Sequence, residues 1–552
     1  MIGVISKENE IEVVEEFFQL FKTPWEFYKD DREYEVVIIS KSECIKKINA
    51  KVILVFGYES TNFDDENNIF LTTDNAVKTL NLGEMILPIY VKIASFRNVP
   101  KNTIFLALNS EILVMKTKAN NQIIIRIGYS LFEEIKYLLT EGQPVDKALI
   151  STLENHIALL RKWIVELGIS LIEIPPIPAE FKYIVCLTHD VDFVKISNHF
   201  FDHSMWGFIY RCIFISFKEL LTGRISLFRV LQKWQAVFLL PFIYLKITPD
   251  FWFQFDRYLK IEKEHKATYF FIPYKKAGDK ALKRAARLRA PKYNIYNLSK
   301  LLNYLIDQGN EVGVHGIDAW HSSDKGYLEQ KRISEIIGKN HLGIRMHWLL
   351  YCKETFRSLE DAGYYYDSTF GYNETIGYRG GTTQVFKPLG IRNLFELPLH
   401  IQDTALFYSR RMDLSEKQAL KLCKKLIDNA SINGGVLTIN WHQRSLGPER
   451  LWGNFYLHVL EEIQRTRPWF ATARKAVDWF EQRRLVTFNE CKSKNKEFRI
   501  SLKSNRIGIQ PPLLVRVYRP TSQNLDKSEL LLNKFDYVDI AWTGENDINI
   551  SI

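Results

Sequence analysis

The sequence contains no uncharged apolar run of the roughly 20 residues that cross a bilayer. Its first stretch, MIGVISKENEIEVVEEFF, lacks the basic start and continuous apolar core of a signal peptide. The six cysteines, at 44, 186, 212, 352, 423 and 491, form no CxxC pair and no framework of the kind that staples secreted domains. Together these absences point to a reducing, cytoplasmic setting. A strong charge bias is missing too. Lys and Arg number 74 against 64 Asp and Glu, and the resulting +10 is spread along the chain without a reader motif, so nucleic acid is not an expected partner. What is present is globular in character. Hydrophobic residues make up 46% and charged residues 25%, and 552 residues exceed one ordinary core, so two or three domains are expected.

A proline-rich break, IPPIPAE at 174–180, sets the first boundary. Before it, YEVVIIS and KVILVFGY read as strands, while YSLFEEIKYLLTEG and ALISTLENHIALLRKWIVELG read as helices. Residues 1–178 are therefore an α+β accessory domain without a catalytic cluster. From 179 to 484 the runs YIVCLT, ATYFFIP, EVGVHG, LGIRMHW, GYYYDST, LFELPLH and GGVLTINWH alternate with helical patterns. Such alternation builds a parallel sheet, and about seven strands predict a (β/α)7-type distorted barrel. After it, EFRISL, PPLLVRVYRP and YVDIAWTG predict a small β-rich C-terminal domain over 485–552. An insertion at about 200–253 stands apart, with MWGFIYRCIFISF, WQAVFLLPFIYL and DFWF interspersed with Arg211, Lys218, Arg224, Arg229, Lys233 and Lys246. Over 205–253 this mixture suits either peripheral contact with a membrane or a helical insertion packed on its own protein.

In a barrel of this kind the chemistry sits at the C-terminal ends of the strands. The stretch KYIVCLTHDVDFVKI (182–196) ends an apolar run in Asp190 and Asp192, two apart and so on one side of a strand. Adjacent carboxylates repel, which a cation or a shared proton relieves; the plain alternative is a polar turn or a helix cap. VGVHG, GIRMHW and LTINWH likewise place a titratable group at the end of an apolar run. Four such ends on one barrel are a stronger signal than any one of them.

Read in order, the motifs HDVD, VHGIDAWH and NWH resemble the polysaccharide deacetylases of carbohydrate esterase family 4, the NodB-homology domain, in the branch whose first motif reads HDVD. The resemblance covers roughly residues 182–484. It implies a divalent metal, usually zinc, with Asp192 and His315 as ligands and Asp190 as the general base. For the second metal histidine it points to His321, with Asp318 in reserve. The family spaces its two histidines four apart, whereas Ala319 stands at that place here, so HGIDAWH must be a loop for His321 to reach the metal. Arg345 in RMHW stands where the family has an arginine that pairs with the catalytic aspartate, although the usual following proline is absent. His442 would protonate the leaving amine, with Asp367 as the acidic neighbour and Asp403 the weaker candidate. His347 is an extra histidine that either contacts substrate or packs. Trp348 and Trp441 are candidate pocket walls, and His189 is given no catalytic role.

The function this implies is hydrolysis of an N-acetyl or similar N-acyl group from an amino sugar in polysaccharide or envelope glycan metabolism. A cytoplasmic setting favours a nucleotide- or lipid-linked sugar, with the insertion at the inner membrane face. A catalytically inactive glycan-binding or scaffolding protein on the same fold, and a hydrolase of non-sugar linear amides, are the alternatives.

Overall fold

Continuous Val, Ile and Phe runs have no polar side to offer water, so they become strands covered on both faces. In the computed structural model they are β1 (Ile184–Val191), β2 (Thr268–Phe271), β3 (Glu311–Gly316), β4 (Gly343–Met346), β5 (Tyr366–Asp367), β6 (Phe395–Glu396), β7 (Ile401–Gln402), β8 (Val436–Asn440) and β9 (Trp469–Phe470). The residues described are all but 42–47, 75–77, 83–84, 100–103, 109–110, 120–121, 276–291, 495–496, 506–507, 521–534, 545–547 and 552.

These strands form one sheet in the order β6-β5-β4-β3-β2-β1-β8-β7, with β9 also paired to β1. Every pairing is parallel, and the register sets His315 beside Arg345 and Thr188 beside Asn440. The edge strands β6 and β7 do not pair with each other, so the sheet is a distorted barrel left open on one side. β1 is buried along its whole length. β7 and β9 are two residues long, too short for any periodicity to reveal them.

The chain divides into two compact units, one of residues 1–180, 378–390 and 478–552, the other of 181–377 and 391–477. The boundaries expected from sequence fall at 178/179 and 484/485. In the first unit, Trp25–Phe27, Ile2–Ile5, Tyr34–Ile39, Ala50–Phe56 and Gln122–Ile127 form a parallel run, continued by the antiparallel Glu111–Ala119. Buried Arg483 ties its separate segments together by donating to the carbonyls of Gln19, Leu20 and Ile174.

The insertion in the second unit is a helical hairpin. His203–Tyr210 runs through a π turn at Arg211–Ile215 into Ser216–Leu221, and Leu227–Tyr244 returns. Asp202 and Ser226 cap the two starts. The inner faces close over Phe193 and Trp252, with Phe208, Cys212, Ala236 and Leu240 in the same buried cluster.

Gly343 opens β4 where Tyr366 crosses it. A Cβ there would lie 1.9 Å from the ring, and Tyr366 is held by donating its hydroxyl to Glu311 at 2.8 Å. Gly343→Ala is expected to cost about 3 kcal/mol, the upper end for overpacking, read as a lowered urea midpoint. An unchanged midpoint would contradict this packing of β4 on β5.

Candidate active site

Three strand ends converge on Asp190. The carboxylate is almost wholly buried, accepting at Oδ1 from Arg345 Nη1 (3.0 Å) and at Oδ2 from Asn440 Nδ2 (2.7 Å). Arg345 directs its other donors to Thr188 Oγ1 (2.8 Å), the Ser368 carbonyl (3.0 Å) and Ser368 Oγ (2.9 Å). Burial alone would raise the Asp190 carboxyl, but Arg345, with His315 and His442 behind it, holds it below its ordinary value.

Next to this pair lies a set of metal-ligating atoms. Among the described residues the group of three that could hold an ion is Asp192, His315 and His347, whose ligand atoms all lie within 4.8 Å of one another. His315 Nε2 is 3.3 Å and His347 Nε2 3.6 Å from Asp192 Oδ1, and that oxygen is buried without a hydrogen-bond partner. A buried carboxylate oxygen left in this state is costly unless a cation takes it. His315 Nδ1 is 2.9 Å from the Arg345 carbonyl, which fixes the proton on Nδ1 and leaves Nε2 to ligate. Burial pushes the His347 imidazole down to about 4, so it is neutral and able to coordinate. One carboxylate and two imidazoles are a donor set that zinc accepts with a position to spare. The residues fit the metal.

On the far side of Asp192, His442 Nε2 stands 3.9 Å from Oδ2. Its Nδ1 meets Asp403 Oδ1 at 2.7 Å, and Asp403 Oδ2 accepts from the His442 backbone N–H (2.8 Å) and from Ser445 Oγ. Burial disfavours the charged ring, yet Asp403, with Asp192 and Asp190, raises His442 to about 9. Two residues on, Arg444 stacks over Phe193 (4.5 Å) and Trp252 (5.1 Å) and keeps a buried Nε without an acceptor.

Several sequence expectations change here. His321 and Asp318 do not join the three-residue group. Their turn is tied down by buried Glu329, which accepts from the N–H groups of Ile317 (3.1 Å) and Asp318 (2.7 Å), and His321 Nε2 faces Asp318 Oδ1 at 3.8 Å. His347 stands in the place expected of His321. The chain turns sharply after it, with Trp348 and Leu349 at left-handed φ of +62° and +51°. Asp367 is not the neighbour of His442, a position Asp403 occupies. Burial raises the Asp367 carboxyl to about 6, and it is hydrogen-bonded to Thr369 and Glu396 instead. Trp441 is no pocket wall: it is fully buried, with stacked Phe455 and Tyr456 rings beside it. Trp348 is half-buried beside the His347 ring. His189 is a structural histidine between the Trp441 carbonyl (2.8 Å) and Glu262 (2.8 Å).

No family model matches the chain, and no curated protein matches it. Solved structures do. The carbohydrate deacetylase Agd3 is 8% identical, over 99% of this chain and 98% of its own, with a TM-score of 0.38. Puue allantoinase is 13% identical, over 55% of this chain and 92% of its own, at 0.33. The Xyl-CE4 domain of a multidomain xylanase from the hindgut metagenome of Trinervitermes trinervoides is 11% identical, over 54% of this chain and 90% of that domain, at 0.23. At these values the chemistry has to come from the side chains of this chain.

The two histidine assignments separate cleanly by metal content. Zinc loading followed by mass spectrometry is expected to find one ion per chain in the wild type and in His321→Ala, and at least tenfold weaker retention in His347→Ala. The opposite pattern would restore His321. For His442, NMR titration of the metal-free protein should place the imidazolium near 9 and show it falling by more than one unit in Asp403→Asn; no fall would separate the two groups.

Proposed function

We propose that the second unit is a zinc-dependent amide hydrolase that removes an N-acetyl or similar N-acyl group from an amino sugar. One observation carries this reading: a buried aspartate–arginine pair and a charged histidine–aspartate pair flank the same Asp192–His315–His347 group. A metal-binding fold kept only to grip a glycan has no use for two separate proton-handling pairs, one of them poised to accept and the other to donate.

The chemistry follows from the ionisation states. A divalent cation held by Asp192, His315 and His347 would polarise the acyl carbonyl and lower the pKa of water. Asp190, kept ionised by Arg345, accepts the proton from the attacking water as general base. Asn440 and Arg345 fix its plane, so the accepting lone pair is aimed before substrate arrives. His442 enters the reaction charged and gives its Nε2 proton to the amine as the C–N bond breaks. Asp403 steadies the imidazolium and holds the ring so that Nε2 faces Asp192. In this scheme Arg345 and Asp403 are positioning residues.

The substrate is an N-acylated sugar or glycan. Arg444 supports a further reading, that the sugar carries a phosphate as in a nucleotide- or lipid-linked precursor. The guanidinium, with no ion pair among the described residues, waits next to the donor histidine.

Asp190→Asn is expected to lower kcat for acetate release from N-acetylated amino sugars by about 100-fold or more, with KM and zinc content nearly unchanged. An assay across nucleotide sugars, lipid-linked sugars and chito-oligomers makes the measurement. Equal turnover by the variant and the wild type would remove Asp190 from the reaction.

A further inference from the structure

The helical hairpin at 203–244 is apolar on both faces but packed on one. Its inner side joins the cluster of Phe193, Phe208 and Trp252. The outer side does the reverse of what a globular surface does. On the first helix Trp206, Tyr210, Phe214, Phe217 and Leu221 recur every three or four residues, which puts them on one stripe, and all are at least half exposed. Leu227, Leu231, Trp234, Phe238 and Phe242 recur at the same spacing on the second, exposed from 38% at Phe242 to 73% at Phe238. A continuous patch of this size marks an interaction surface rather than chance exposure.

The charges say what covers it. Lys218, next to Phe217 on the first helix, and Lys246, just past the second, are exposed and make no ion pair among the described residues. The acids of the hairpin are engaged elsewhere. Asp202 caps the first helix, and Glu219 pairs with Lys233 at 3.1 Å. The surface is therefore apolar, rich in Trp and Tyr, and positive. A second copy of the chain would bring these unpaired cations face to face, whereas an anionic lipid surface satisfies both features together. Among the described residues no helix is long and apolar enough to cross a membrane, so a bilayer docked here would meet the hairpin at its surface.

We propose that the outer face of the 203–244 hairpin docks onto an anionic lipid bilayer, so that the active site works at that surface. The placement of the substrate there rests on the deacetylase reading; the docking itself does not. Phe193 joins the two, since it follows Asp192 directly and belongs to the buried cluster on which the hairpin sits.

Sedimentation with vesicles tests this without any turnover. The wild-type chain is expected to pellet with vesicles of phosphatidylcholine containing 30% phosphatidylglycerol, and to do so at least tenfold more weakly with phosphatidylcholine alone or in high salt. Phe214→Glu with Phe238→Glu should abolish pelleting while the thermal midpoint holds. Should that double variant fail to fold, Lys218→Glu alone should still weaken binding severalfold. The proposal is overturned if the wild type stays in the supernatant, if it binds both vesicle types alike, or if it elutes as a dimer that the double variant dissociates. Vesicle binding with no acetate release would keep the docking and reject only the deacetylase reading.

Discussion

Arg345 organises the site more than any residue that touches a substrate could. It is an always-charged group with no exposure, which is tolerable only when every donor has a partner and the charge is matched. Its side chain matches Asp190, crosses to Thr188 on β1, and grips Ser368 beyond β5. Its main-chain carbonyl takes the Nδ1 proton of His315. A single residue thus bears on the ionisation of Asp190 and the tautomer of His315, and His347 follows two residues on. Loss of Arg345 would leave a buried carboxylate uncompensated, so its removal damages fold and chemistry together.

The histidines around Asp192 show how partners divide one residue type into different tasks. At His347 burial outweighs the pull of Asp192, 3.6 Å away, and drives the ring to the neutral form. His442 is also shielded from water, yet Asp403 at 2.7 Å reverses the sign and keeps a proton on the ring. Two imidazoles near the same carboxylate are therefore out of step in pH: one is free to bind a cation where the other is charged. The window between them covers neutral pH, where one ring is neutral and the other charged.

The strand runs of the barrel were legible because burial on both faces leaves an unbroken apolar signature, and Asp190, Asp192, His315, Arg345 and His442 stood out as polar ends to those runs. The second histidine was not, for an instructive reason. The motif VHGIDAWH pointed to His321 although its spacing was two residues too long, while His347, just past the end of β4, read only as an extra histidine that contacts substrate or packs. Asp403 ranked only as the weaker candidate because β7 before it is a two-residue strand, too short for periodicity to mark its end. Trp441 looked like a sugar platform because an aromatic at a strand end is ambiguous between wall and core until Phe455 and Tyr456, more than ten residues away in sequence, are seen beside it.

Of the two readings offered by its sequence, the insertion packs on its own protein through its inner face. A helix apolar on all sides needs cover on all sides. The inner cover is protein, and it matters to the chemistry: Phe193 and Trp252 are at once the floor of the hairpin and the rings under Arg444. Substitutions on the inner side, at Leu240 or Cys212, would therefore shift the residue adjoining Asp192, whereas outer-side substitutions leave that packing alone. The inner face alone carries the packing next to Asp192, and for that reason the outer face can be strongly apolar without disturbing that packing.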